Sequence, residues 1–231
     1  GYDTLSTERV RRLAGLDADF AAPAFATRDF VYVGRFIPKK GLTSLISAFA
    51  RFCEIEPESK RKLIMIGTGP LDRELREQVS ALGLGERVEF TGFIEGSALY
   101  RRMAQALALV FVSYREQWGL VLNEATALGL PLIVSEAPGA GDILARNLVN
   151  GFVLENASIE GIARAMQDIS NDEDQWHRMS AASAELASHG DCALFADAIE
   201  LTIDERAQPA RQRIAGYVAR FPTLQHRPLV D

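Results

Sequence analysis

FVYVGRFIPKKGLTSLISAFARF, from Phe30 to Phe52, contains one complete strand, turn and helix. Its first seven residues, Phe30 to Phe36, are a β-branched and aromatic run broken by Gly34. From Leu42 onward the apolar residues fall at Leu42, Leu45, Ile46, Phe49 and Phe52, the spacing of one buried helix face. Toward the C-terminus the unit recurs. KLIMIG (Lys62 to Gly67) is a second strand, and Leu71, Leu75, Val79 and Leu82 form a helical stripe that Gly83 ends. RVEFTG (Arg87 to Gly92) precedes an amphipathic stretch from Ser97 to Ala106, and LALVFVS (Leu107 to Ser113) precedes a helix through Leu122 and Leu128. LPLIVS (Leu130 to Ser135) leads into a loop, and GFVLE (Gly151 to Glu155) is followed by helical runs at Ile159 to Ile169 and Asp174 to Ala187. Six short strands alternating with helices, the central ones apolar throughout, predict an α/β fold: a doubly wound, Rossmann-like parallel sheet covered on both faces. Right-handed crossovers then put every strand-to-helix turn on the carboxyl edge, where such folds bind ligands.

Around this domain, placed at residues 30–206, residues 1–29 read as a linker or upstream helix and residues 207–231 as a C-terminal helix and tail. The composition, 231 residues with 48% apolar and 24% charged, suits an ordinary globular chain and excludes disordered and collagen-like classes. No apolar run reaches the ~20 residues of a membrane-spanning helix, and no signal peptide is evident. The chain begins with Gly1 rather than Met and is read as a fragment. A net charge of −6, with Lys and Arg scattered, argues against nucleic-acid binding. Cys53 and Cys192 lack metal-ligand spacing and read as reduced core thiols. His177, His189 and His226 lie outside every glycine-rich turn and read as solvent-facing, which speaks against a zinc site or a histidine relay.

The turns carry the chemistry. The first strand ends in Gly34-Arg35-Phe36, which fails the G-x-G-x-x-G dinucleotide pattern. Gly67-Thr68-Gly69 reads as a tight turn with Pro70 at the first helical position. Arg35 and Lys40 stand just past a strand and beside a helix N-terminus, a corner that suits a diphosphate; the alternative is two solvated surface cations. After the fourth strand, Glu116 falls in the loop, Gly119 permits close backbone approach, and Glu124 lies one to two turns into the next helix. Backbone N–H groups of Gly119, Leu120 and Val121 would face an anion, while Glu124 could accept hydrogen bonds from a diol such as a ribose. Asp17-Ala18-Asp19 and Asp172-Glu173-Asp174 fit the D-x-D of metal-dependent transferases, but the first precedes the earliest strand and the second reads as a helix cap, so no metal is expected.

Taken in order, VGRFIPKKGLTSLISAF, LIMIGTGPLDRELREQVSALGLGERVEFTGFI and SYREQWGLVLNEATALGLPLIVSEAPGAGDILARNLVNGFVL resemble the retaining, metal-independent glycosyltransferases of GT-B architecture, the glycosyl transferases group 1. The likeness runs from about Val33 to Leu154. It implies the C-terminal, donor-binding half of a GT-B fold. Arg35 and Lys40 would be the diphosphate pair, Glu124 the second glutamate of an E-x7-E motif on the ribose, and Glu116 the first glutamate beside the transferred sugar. Gly92-Phe93-Ile94 would be the turn that reads the base, and Trp118 either a ligand contact or a packing residue. The resemblance further implies a nucleoside-diphosphate sugar as donor, no cofactor, a cytoplasmic location and an acceptor-binding N-terminal half that these residues lack. Peripheral membrane association of the full-length enzyme stays open. The competing reading is a catalytically silent nucleotide-sugar-binding or partner module; GT-B epimerases and phosphorylases share the fold.

Overall fold

In the computed structural model, residues 7–16, 22–203 and 208–220 are described, less the side chains of a few residues in the last two helices. The apolar runs form strands β1 (Phe30–Val33), β2 (Leu63–Ile66), β3 (Val88–Gly92), β4 (Ala108–Phe111), β5 (Leu132–Ser135) and β6 (Gly151–Leu154). All pair in parallel, in the order β3-β2-β1-β4-β5-β6. Every residue of β2, β4 and β5 is buried, which is why these strands are apolar without alternation. The helices are α1 (Thr7–Ala14), α2 (Leu42–Ile55), α3 (Asp72–Ala81), α4 (Gly96–Ala104), α5 (Leu120–Ala127), α6 (Gly141–Leu144), α7 (Ile159–Asn171), α8 (Glu173–Leu186), α9 (Cys192–Ile203) and α10 (Gln208–Arg220). α2 packs between α3 and α7, while α1, α4, α5, α6 and α8 form the other layer and α10 packs on α9. The doubly wound, Rossmann-like sheet expected from the alternation is thus the fold of the chain.

The strand order reverses between β1 and β4, the point where open α/β sheets leave a crevice. β1 pairs with β4 only through Phe30 with Ala108 and Val31 with Leu109, whereas β1 and β2 pair along four residues to Val33 and Ile66. The strands therefore part toward their carboxyl ends, and the turns that follow them face one another across the gap.

Local differences from the sequence reading have simple causes. β1 stops at Val33, and Phe36, expected in the strand, is buried in the following turn. Pro70 precedes Leu71, the N-cap of α3, instead of occupying the first helical position. That turn packs on its neighbour, with Phe36 N–H donating to Thr68 O at 2.9 Å and Leu71 N–H to Phe36 O at 3.1 Å. The loop after β5 contains the single turn of α6, too short to show a helical period. Asp172 caps α8, its Oδ1 accepting from Gln175 N–H at 2.7 Å. His177 is exposed on α8, 3.9 Å from Glu173, but His189 is half-buried because its 3-10 turn, Ala187–Gly190, packs against α5 and α6. Cys53 is a free, half-buried thiol whose pKa is raised by burial. Asp17, Asp19 and His226, and the side chain of Cys192, lie outside the described residues.

Candidate functional site

The crevice between β1 and β4 is built by two turns stitched together. Tyr114 N–H donates to Lys39 O at 2.8 Å, and the hydroxyls of Tyr114 and Ser44 lie 2.7 Å apart. Gly41 caps α2 at φ +66°, and a Cβ there would sit 2.5 Å from Val112 O, so no other residue lets the two turns close this far. The closure swings Lys40 under the β4 turn. Lys40 is 9% exposed, its Nζ 4.5 Å from the centroid of the Phe111 ring, and it forms an ion pair with Glu116. Among the described residues no other carboxylate pairs with Lys40.

Arg35, the other expected anion-binding cation, is exposed at the start of the same turn and forms no ion pair among the described residues. Its carbonyl accepts from the buried Tyr32 hydroxyl at 3.1 Å. Burial first, and the nearby Glu116 charge second, push the Tyr32 phenol well above its ordinary range, so it stays a neutral donor.

The loop from Glu116 to Gly119 is fastened to the β5 loop. Glu116 bridges Pro138 through the backbone, and Ala140 N–H donates to Trp118 O at 2.9 Å. Trp118 is half-buried against the core; its indole N–H donates to Asn123 Oδ1 at 2.9 Å, and Asn123 donates onward to Gly190 O at 2.7 Å. Gly119 caps α5 at φ +91°, a left-handed conformation that starts the helix beside the crevice. The first-turn N–H groups of α5, from Leu120 and Val121, have no carbonyl within the helix to bond. Leu120 is 40% exposed there and Val121 is buried. Glu116 also lines a shallow pocket of about 400 Å³ with Lys39, Tyr114, Arg115, Gln117 and Ala137.

Glu124 lies farther along α5, away from the ion pair. Burial raises its carboxyl pKa, and its one hydrogen-bond partner among the described residues is Tyr100, whose hydroxyl donates to Oε1 at 3.2 Å. Tyr100 is raised in turn to about 12, by burial and then by the Glu124 charge. The sequence reading missed Tyr100: it sits on the apolar stripe of α4, and nothing local marks its hydroxyl as the partner of a carboxylate 24 residues on. Phe93 and Ile94 occupy the turn before α4, Phe93 70% exposed and Ile94 packed on the core. Tyr100 is four residues beyond the first residue of α4, about 6 Å along the helix.

The structure thus brings Lys40 and Glu116 into contact, sets Arg35 and the α5 N-terminus on the same sheet edge, and leaves Glu124 with Tyr100 as a separate pair. Phe93 and Ile94 follow β3, two strands away from the crevice. Cations, free helix N–H groups and a carboxylate with an open oxygen form a surface suited to an elongated anion bearing a diol at one end.

Comparison with known proteins gives the family and the fold. A profile of the family Glycosyl transferases group 1 matches residues 21–186. D-inositol 3-phosphate glycosyltransferase of Streptomyces griseus is 30% identical over 182 residues, which cover 76% of this chain and 37% of that protein. The crystal structure of HepE from Anabaena in complex with UDP-glucose superposes with a TM-score of 0.67 at 25% identity, over 86% of this chain and 52% of that one. The C-terminal domain of a group 1 family protein, LpcC from Francisella tularensis, superposes with a TM-score of 0.64 at 22% identity, over 79% of this chain and 93% of that one. The chain spans 35% to 50% of the length of the relatives it matches. With the profile matched from before β1 to the end of α8, over a Rossmann-like parallel sheet, this chain belongs to the glycosyl transferases group 1.

Proposed function

We propose that this chain is the donor-binding half of a retaining, metal-independent glycosyltransferase of GT-B architecture, which moves a sugar from a nucleoside diphosphate to an acceptor hydroxyl. The observation that carries the reading is the crevice at the β1–β4 switch point, where Arg35, Lys40 with its exchangeable Glu116 partner, and the α5 N-terminus share the carboxyl edge of the sheet. Such a corner stabilises a departing diphosphate electrostatically. Glu124, with Oε1 held by Tyr100, keeps Oε2 for the ribose hydroxyls; Phe93 and Ile94 present backbone to the base; Glu116 borders the pocket that would take the sugar. The acceptor wall belongs to an N-terminal half outside these residues, in keeping with relatives of which the match covers only 35% to 50%. The partners are therefore a nucleotide-sugar and that second half, in the cytoplasm.

Titration of the chain with UDP, GDP and ADP, followed by amide NMR, tests the reading. One of the three at millimolar concentration will shift the amides of Gly119 to Val121 and of the turn at Arg35. No shift with any of them would remove the donor site. Transfer from a nucleotide-sugar is expected only when the upstream half is restored, since half a cleft neither positions an acceptor nor excludes water.

A further inference from the structure

We infer that Glu116 is an internal competitor for the diphosphate: by pairing with Lys40 when no sugar is present, it makes the crevice discriminate the sugar-bearing donor from the bare nucleoside diphosphate left after transfer. The inference rests on the donor-site reading and goes beyond it. Lys40 is nearly buried, between the Phe111 ring and Glu116, and a buried ammonium stripped of its counter-charge is costly. In the empty crevice the Glu116 carboxylate supplies that counter-charge, with both side chains mostly out of solvent at 11% and 15% exposure. An incoming diphosphate must take over the same ammonium. Once it does, the carboxylate stands beside like charge and has to turn away.

There is open space beside it to turn into. Glu116 already lines the pocket of about 400 Å³ shared with Lys39, Tyr114, Arg115, Gln117 and Ala137. A sugar in that pocket offers hydroxyl donors to the displaced carboxylate, so a nucleotide-sugar repays the broken pair. A bare nucleoside diphosphate has nothing there, and Glu116 swings back to compete for Lys40. The same residue therefore favours donor over product, and loss of the sugar itself weakens the grip on the leaving nucleotide.

Glu116→Gln tests this by calorimetry on the chain, with whichever of UDP, GDP or ADP binds and its matching UDP-glucose, GDP-mannose or ADP-glucose. The amide keeps the size and hydrogen-bonding ends of the carboxylate but cannot neutralise Lys40. The variant is expected to bind the bare nucleotide about three- to tenfold more tightly than the parent, the net competition left once desolvation offsets most of the attraction in a nearly buried pair. The ratio of nucleotide-sugar to nucleotide affinity should fall at least as much. Local damage would weaken both ligands together, so tighter binding of one is not explained by misfolding. In a Lys40→Met background the Glu116→Gln gain should vanish. Unchanged or weaker nucleotide binding by Glu116→Gln, with the parent binding normally, overturns the inference and leaves the donor site standing; absence of any binding by the parent overturns both.

Discussion

The two edges of this sheet both bury cations, and they use them in opposite ways. At the amino edge Arg28 and Arg61, 7% and 6% exposed, precede β1 and β2 and give their hydrogen bonds to backbone. Arg28 Nη1 donates to Ala104 O and Ala106 O at 3.1 and 3.0 Å; Arg61 reaches Phe25 O, Arg28 O and Ser170 O at 2.8, 2.7 and 3.3 Å. Each guanidinium lies over an aromatic ring, Trp176 at 4.6 Å and Phe25 at 4.7 Å. Burial lowers both pKa values, and neither arginine has a carboxylate ion pair among the described residues. At the carboxyl edge Lys40 is as deeply placed, yet its hydrogen-bond partner is one carboxylate on a different turn. Backbone carbonyls cannot leave, whereas a side chain can. The amino edge is a fixed joint, and the carboxyl edge is a contact that a ligand can exchange.

The largest expected effect tests the fixed side. Arg61→Met removes three carbonyl partnerships; Phe25 O keeps the Arg28 N–H, while the buried Arg28 O and Ser170 O lose their partner, which at roughly 1 to 3 kcal/mol for each of those two should cost about 2 kcal/mol or more in urea unfolding. Nucleotide affinity per folded molecule should not change. A shift in affinity comparable to the loss of stability would mean that the two edges are coupled.

On the exchangeable side, Glu124→Ala should reverse the pattern. Replacing this carboxylate deletes one charged acceptor and leaves the buried Tyr100 hydroxyl without its partner, a loss of stability that removal of the buried charge offsets in part. Nucleoside diphosphate binding should weaken by about 1 to 3 kcal/mol, the worth of hydrogen bonds to a charged group. The loss should largely disappear with a 2′,3′-dideoxy nucleotide, which has no diol to present. Equal losses for both ligands would make Glu124 a structural residue of α5.

The sequence exposes these two edges unequally. Strand positions, the doubly wound order of events and the grouping of Arg35, Lys40, Glu116 and Glu124 at strand ends follow from local periodicity and turn residues, since each strand and each helix stripe is written within about ten residues. Arg28 and Arg61 leave no such trace, because their partners are carbonyls, which every residue carries. The Lys40–Glu116 pair spans 76 residues and Tyr100–Glu124 spans 24. Both depend on strand order and on which layer a helix joins, and the first becomes predictable only once β1 and β4 are known to be neighbours. His189 was misplaced for the same reason, its burial being set by α5 and α6 rather than by its own segment.

The smallest effect concerns the charge state of Glu124 with no ligand present. Its folded pKa is raised, chiefly by burial, with the Tyr100 hydrogen bond opposing the shift. A carboxyl raised in the fold binds more protons folded than unfolded between the two pKa values, so stability falls as the pH climbs from the unfolded value of about 4.3 through the folded one. Glu124→Gln keeps an oxygen for the Tyr100 hydroxyl and removes the titration. Its melting temperature should match the parent's below about pH 4 and exceed it increasingly above, reaching a plateau once the parent carboxyl is fully ionised. On the proposed donor-site role, the charged form at that plateau is also the better acceptor for a ribose diol, so the stability given up at neutral pH would hold a ready acceptor at the carboxyl edge. Arg61→Met should lose stability across the whole range, because its carbonyl partners do not titrate, and the loss should grow as the neighbouring Asp29 ionises. A parent-minus-variant difference for Glu124→Gln that is flat from pH 4 to 8 would show that the carboxyl ionises in the fold as it does in the open chain, and would erase the contrast between the two edges at this residue.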